Sequence, residues 1–313
     1  MVEDFRFLDG KITGDPTVNL PLGFNLKFAS KLFPAPMITG SRVIKDWHIF
    51  DGAVVCLMIW GRDYFAIQGS GVMIAPGVAM VARHTYDELI ENLKNGPEQS
   101  LVARVVSFTK DKALFWDVER TAIGDGLDIA LLSVKPASDL PTDATYRIAR
   151  VSTRQQAVGD RVVMVGFRPI KDPFENGTDD QNIQVYCRIG VGHITQIFPE
   201  GRPQSNRDMR NLSVFEVNCE TIGSMSGGPV FDESGHLIGL LTYGMTGQQL
   251  SYVSPFTNAW GIELDTRWPN GLYRPGIPLI EILKICKNVE RPQAVSFDDN
   301  SDGTKDILYY SWR

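Results

Sequence analysis

Ser226 stands in the run Gly223-Ser224-Met225-Ser226-Gly227-Gly228-Pro229-Val230, where glycines bracket a hydroxyl. A nucleophilic serine needs such a setting. Its Oγ must project from a tight turn, backbone N–H groups must converge on the oxyanion that forms, and the flanking chain must admit the substrate. The same run also suits a glycine-rich turn that opens the strand GPVFD. His84 closes Met80-Val81-Ala82-Arg83-His84 and follows Gly69-Ser70-Gly71-Val72-Met73-Ile74-Ala75-Pro76-Gly77. An imidazole at a strand end, facing a cleft, suits general-base work because its charge changes near neutral pH. The plainer alternative is a surface histidine opening the helix TYDELIENL. Asp128 opens the apolar strand in Gly126-Leu127-Asp128-Ile129-Ala130-Leu131-Leu132-Ser133-Val134. A carboxylate at the edge of a buried region is costly unless paired, and a histidine N–H is such a partner. Asp125 competes for the role, but Asp128 abuts the strand directly. Of the other histidines, His193 lies inside a strand and reads as structural, and His236 follows a turn glycine and reads as solvent-facing.

Short strands must position these groups. From Ala53 onward, strand-length apolar runs alternate with turn signals: AVVCLMIW, YFAIQGSGVMIA, VAMVAR, LVARVVSF, ALFWDV and IALLSV, then a second series from RVVMVGF to QLSYVSPF. About a dozen such strands, with no long amphipathic helix between them, give an all-β fold built as a sandwich or barrels. Lys135–Thr153 is richer in Pro, Ser, Asp and Thr and divides the strands into two lobes. The expected segments are an arm over residues 1–50, a first lobe over 51–140, a second over 141–265 and an extension over 266–313. Pro16, Pro21, Pro34 and Pro36 make the arm irregular and extended. Phe5, Phe7, Leu20, Leu22, Phe24 and Phe28 give it apolar surface to lay on the core. In the extension, Pro278–Asn288 has the apolar spacing of a helix of about three turns, and Asp298–Gly303 reads as an acidic loop before an aromatic end.

Composition narrows the function. The chain has 313 residues, 43% hydrophobic, enough to bury one large core or two modest ones, and its net charge is −6. That balance gives no basic face for nucleic acid and argues against an anionic membrane surface. The N-terminus, with Glu3 and Asp4 and no apolar stretch, does not read as a secretory signal, and no apolar run reaches transmembrane length. The four cysteines are scattered and read as free thiols in a reducing, cytoplasmic setting. No His, Asp or Glu cluster has metal-ligand spacing, so neither a metal nor another cofactor is expected.

His84, Asp128 and Ser226 occur in that order, 44 and then 98 residues apart. In this the chain resembles the trypsin-like serine peptidases, particularly the Deg/HtrA-type protease domain. Val158–Gly166 is similar to the strand that opens that family's second barrel, and Ser234–Thr242 to the hairpin after its nucleophile. The resemblance covers roughly residues 50–260. It implies two six-stranded antiparallel β-barrels, the triad in the cleft between them, and a protein or peptide substrate. It also implies an oxyanion hole at the N–H groups of Ser224 and Ser226, and a substrate-pairing strand at Thr242, Tyr243 and Gly244, with Thr242 supporting Asp128. Glu220, six residues before the nucleophile, matches the position at the floor of the S1 pocket, where a carboxylate would favour Lys or Arg at P1, although an exposed loop glutamate is the plainer reading because loop lengths near the pocket vary.

The chain departs from the family pattern in two places beside the nucleophile. Ser224 stands where glycine is usual, and a serine there is strained if φ is positive. Met225 stands where the secreted digestive and clotting enzymes have an aspartate, so activation by a freshly cut N-terminus is not expected. Three functions follow: an endopeptidase, an esterase using the same triad, and an inactive or latent protease-fold binding protein that waits for a partner or activator.

Overall fold

A computed structural model describes residues 4–11, 27–34, 40–44, 50, 52–62, 64–97, 100–109, 113–137, 145–169, 185–201, 212–244, 247–299 and 305–310. Extended backbone must place its N–H and C=O groups on neighbours, and the arm does so. Its described parts are the strands β1 (Asp4–Lys11), β2 (Lys27–Pro34) and β3 (Gly40–Ile44). The expectation of an irregular arm is thus corrected for those residues. Pro34 ends β2, where a missing N–H costs little. Pro16, Pro21, Pro36, Leu20, Leu22 and Phe24 lie outside the described residues, as do the side chains of Phe5, Phe7 and Phe28.

The first barrel closes in the order β4-β5-β6-β9-β8-β7. Its strands are β4 (Val54–Trp60), β5 (Phe65–Ala75), β6 (Val78–Val81), β7 (Val102–Phe108), β8 (Ala113–Ile123) and β9 (Ala130–Pro136). Helix α1 (Arg83–Asn95) follows β6. Side chains alternate across a strand, and β4 is apolar at every position because both of its faces are covered. Val55, Leu57 and Ile59 join a cluster fed by all six strands and by Leu89 of α1. Val54, Cys56 and Met58 join a second cluster that runs on through Val163, Val165 and Phe167 into the other barrel.

Between the barrels lie β10 (Thr145–Ala149) and β11 (Val151–Ser152). β1 pairs with both β2 and β10, which ties the arm to the inter-barrel segment. The second barrel contains β12 (Arg161–Pro169), β13 (Val185–Phe198), β14 (Val214–Val217), β15 (Pro229–Asp232), β16 (Leu237–Gly244) and β17 (Ser251–Pro255). It runs β15-β12-β13-β14-β17-β16 and closes through the β15–β16 pair. β3 adds to the edge of β13. The fold is therefore two closed six-stranded antiparallel barrels.

The chain then passes through β18 (Glu263–Leu264), β19 (Ile277–Pro278), α2 (Leu279–Ile285), β20 (Val289–Glu290), β21 (Val295–Asp299) and β22 (Lys305–Tyr309). α2 has seven residues, fewer than its apolar spacing suggested, because Lys287 adopts φ 54° and the left-handed residue ends the helix. Its Leu279, Ile280, Ile282 and Leu283 belong to the cluster shared by the barrels. Asp298 and Asp299, expected in a loop, pair in a hairpin with β22. Residues 300–304 lie outside the described ones.

Candidate active site

His84 sits in the first turn of α1, and Asp128 lies two residues before β9. Because β6 and β9 are neighbours, the end of one strand meets the start of the other. Asp128 Oδ1 accepts the His84 backbone N–H at 2.9 Å and Oδ2 lies 2.7 Å from His84 Nδ1. The carboxylate thus answers one of the open N–H groups of the helix N-terminus while it orients the ring. Asp128 is 3% exposed, whereas Asp125 faces solvent, so the pairing falls to Asp128. Nδ1–H donating to a carboxylate leaves Nε2 with its lone pair outward, the tautomer a general base requires. Burial lowers the His84 pKa, but the Asp128 hydrogen bond and charge, with Glu88 and Asp87 behind them, outweigh it and leave the imidazole above its ordinary value.

Two successive turns build the loop around Ser226. Met225 N–H donates to Ile222 O at 3.3 Å, and Gly228 N–H to Met225 O at 2.9 Å. The third residue of each turn has positive φ, 69° at Ser224 and 82° at Gly227, as type II turns demand. Glycine at 227 is required twice over, since a Cβ there would also lie 2.2 Å from Ser70 O. Ser224 meets the same demand with a side chain, at a strain on the order of 1–3 kcal/mol. Among the described residues, neither Ser224 N–H nor Ser226 N–H donates to a protein acceptor. Two donors are thereby left for a developing oxyanion. The strain expected of Ser224 is present, and the turn is nevertheless formed.

Ser226 and His84 each hold another partner. Ser226 Oγ donates to Thr242 O at 3.2 Å, and Thr85 Oγ1 lies 3.2 Å from His84 Nε2. With Nε2 as acceptor, the Thr85 hydroxyl is the donor. No hydrogen bond joins Ser226 Oγ to His84 among the described residues. Catalytic hydrogen bonds often tighten only with substrate bound.

The residues expected to face a substrate fall as follows. Thr242, Tyr243 and Gly244 end β16; Tyr243 and Gly244 pair with β17, and β15 pairs only with β16 residues up to Leu240. Tyr243 is exposed. The expected support of Asp128 by Thr242 is corrected. Thr242 Oγ1 is buried without a hydrogen-bond partner, and both Asp128 oxygens are already bonded to His84. Glu220 Oε1 accepts Gly247 N–H at 2.9 Å, which commits that oxygen to the loop after β16. Beside it, a Cβ at Gly244 would lie 1.8 Å from Thr221 Oγ1, and that hydroxyl is bonded to Ser251 Oγ at 2.8 Å. The chain at Gly244 therefore rests directly on Thr221. Met225 is fully buried in the core of the second barrel.

Three contacts escaped sequence reasoning. Thr221 and Ser251 sit behind the end of β16, Thr85 reaches the His84 ring, and Ser70 touches the Ser226 loop. Only Ser70 carried a signal, the glycines on either side of it. His236 is corrected as well. It is 3% exposed, with Nδ1 3.6 Å from Glu290 Oε2, because the C-terminal β20 covers the turn it occupies. Among the described residues no group of three or more His, Cys, Asp or Glu side chains converges as metal ligands would. No described helix is long and apolar enough to cross a membrane. All four cysteines are buried and unbridged.

Two six-stranded barrels that share a core, with a glycine-rich serine loop and a His–Asp pair at their junction, define the architecture of a two-barrel serine peptidase. The trypsin-like peptidase domain matches residues 69–240, more than half of the sequence, and the chain belongs to that family. No curated protein matches the sequence. Among solved structures, the chain is similar to the active form of the Rv3671c protease from M. tuberculosis, at 16% identity and TM-score 0.45, covering 72% of this chain and 84% of that one. It is similar to the MamO protease domain from Magnetospirillum magneticum at 16% identity and TM-score 0.46, covering 67% and 95%. It is also similar to Deg5 at 15% identity and TM-score 0.43, covering 66% and 84%.

Proposed function

We propose that the protein is a serine endopeptidase in which Ser226 is the nucleophile, His84 the general base and Asp128 its orienting carboxylate. The observation that carries this reading is the 2.7 Å contact from His84 Nδ1 to Asp128 Oδ2. It fixes an imidazole whose Nε2 can take a proton once the Thr85 hydroxyl gives way. In the first step His84 Nε2 takes the Ser226 proton as Oγ bonds to the peptide carbonyl carbon. The N–H groups of Ser224 and Ser226 receive the oxyanion. The protonated His84 then returns the proton to the leaving amine. Water, deprotonated by the same ring, cleaves the acyl-enzyme and restores Ser226. The substrate is a protein or peptide whose backbone pairs with Thr242–Gly244 as an added strand. Thr221, against Gly244, favours a small P1 side chain, in place of the Lys or Arg that a free Glu220 carboxylate would select. The buried, unbridged thiols fit a reducing compartment such as the cytoplasm.

A second reading, a latent protease-fold protein awaiting a partner, is favoured by the resting hydrogen bonds of Ser226 to Thr242 O and of Thr85 to His84 Nε2. Hydrolysis of an unfolded protein substrate by wild type and by Ser226→Ala separates the two. The peptidase reading expects the variant to lose about 10⁴-fold or more in kcat with an unchanged circular dichroism spectrum. Equal hydrolysis by both proteins would remove Ser226 from the mechanism.

A further inference from the structure

The oxyanion turn is held from outside its own barrel. Ser70 lies in β5 of the first barrel and is fully buried. Its N–H donates to Ser226 O at 2.8 Å, and its carbonyl oxygen is the atom that a Cβ at Gly227 would strike. Its Oγ accepts Phe167 N–H from β12 at 2.8 Å. The single hydroxyl proton has two acceptors within reach, Ser224 O at 3.0 Å and Phe167 O at 3.4 Å, and the shorter distance assigns it to Ser224. One residue of the first barrel therefore contacts positions 224, 226 and 227.

We propose that Ser70 is a positioning residue for the oxyanion hole, holding Ser224 in its left-handed conformation across the barrel junction. A non-glycine residue stays at positive φ only where its surroundings over-determine it. The Met225 N–H bond to Ile222 O closes the turn on one side, and the Ser70 hydroxyl anchors the Ser224 carbonyl on the other. While both hold, the Ser224–Met225 peptide cannot shift to relieve φ, and the Ser224 N–H stays aimed beside Ser226. Removing the hydroxyl frees that flank and leaves a carbonyl without its donor. The idea rests on Ser226 being the nucleophile, but the mechanical claim stands apart from activity. A glycine at 224 has no strain to relieve, so it should not need Ser70.

The test is a four-protein cycle on the full chain: wild type, Ser70→Ala, Ser224→Gly and the double variant. In fluorophosphonate labelling, Ser70→Ala should slow the maximal rate roughly 10- to 100-fold, the range for weakening one oxyanion donor. The probe concentration for half-maximal rate should change less than about twofold, because a lost donor acts on the bond-forming step. The double variant should return to within a few-fold of Ser224→Gly. Denaturant unfolding of the same four proteins supplies a readout independent of activity. There Ser70→Ala should lower the unfolding midpoint in both backgrounds, since Phe167 N–H loses its acceptor in each, but by less in wild type than in the glycine background, because only Ser224 has strain to release. Unchanged labelling in Ser70→Ala, or a loss that Ser224→Gly does not rescue, would overturn the proposal. If wild type is not labelled, the peptidase reading fails and the unfolding cycle decides Ser70 alone: coupling supports the anchor, and additivity refutes it.

Discussion

At the scale of single residues, the site is a set of competing hydrogen bonds. His84 Nε2 can accept one strong donor, and the Thr85 hydroxyl stands 3.2 Å away, where the Ser226 hydroxyl must arrive. Thr85 is itself buried, so a valine of like shape leaves no new hole, and it removes the rival donor. Thr85→Val should raise the rate of labelling by a fluorophosphonate roughly two- to tenfold, the worth of one neutral hydrogen bond. A rate at or below wild type would show that Thr85 does not compete. The same ring sets the pH behaviour. Its charged form gains from Asp128, Glu88 and Asp87 more than burial takes away. The stability this adds is complete below an unfolded histidine's pKa and is lost as pH rises through the raised value. In the proposed mechanism catalysis has the opposite sign, because only the neutral imidazole can accept the Ser226 proton. The candidate triad stood out in sequence because each proposed member has a local signature: glycines around Ser226, a strand end before His84, an apolar strand after Asp128; of its contacts, the structure shows the His84–Asp128 pair. Thr85 had no such signature, since a threonine opening a helix is an ordinary residue.

At the scale of elements, turns and strand ends carry the unusual chemistry. The turn between β15 and β16 buries Asp232, whose Oδ1 accepts Ser234 N–H and His236 N–H at 2.9 Å each. Burial pushes its pKa up to about 6, against the pull of those two bonds and of Arg154, with Glu290 adding to the rise. His236 Nδ1 faces the same oxygen at 4.0 Å. An acid whose folded pKa is raised weakens the fold above that value, and the penalty is relieved as pH falls from about 6 toward 3.8. An asparagine oxygen can accept the same two N–H groups without the charge. Asp232→Asn should therefore be more stable than wild type at pH 8, on the order of 2 kcal/mol, with the advantage shrinking toward pH 4. Urea unfolding at both pH values checks this, and a variant less stable at pH 8 would contradict it. Strand placement was legible from alternating apolar runs. The burial of His236 was not, because β20, more than 50 residues later in the chain, supplies the cover. Pairing of β1 with β10 and of β3 with β13 was equally hidden, since an edge strand's partner is chosen by tertiary position.

At the scale of the whole molecule, the two barrels and the C-terminal extension share one core. Asn288 shows how. It is fully buried, and its Nδ2 donates to Ile74 O of β5 at 2.6 Å and to Ala149 O of β10 at 2.8 Å. A residue of the extension thus joins the first barrel to the inter-barrel segment. Asn288→Ala would strand two buried carbonyls and should cost about 2–4 kcal/mol, seen as a lower unfolding midpoint. A midpoint equal to wild type would mean that the extension does not brace the barrels. The two-barrel division was visible in the sequence as two series of strands. The bracing was not, because an asparagine after a short helix carries no mark of what it will touch. What this frame holds in place is the junction of His84, Asp128 and the Ser226 loop, and the peptidase reading requires the three to act together on one hydroxyl. The most direct measurement is the rate of fluorophosphonate labelling against pH for wild type and Asp128→Asn, with the adduct located by mass spectrometry. A working triad of Ser226, His84 and Asp128 predicts an adduct on Ser226 and a rate that rises with pH through a midpoint above the ordinary 6.5 of histidine. It also predicts at least a tenfold loss at the wild-type plateau in Asp128→Asn. An adduct elsewhere, or a wild-type rate that neither follows pH nor depends on Asp128, would contradict it.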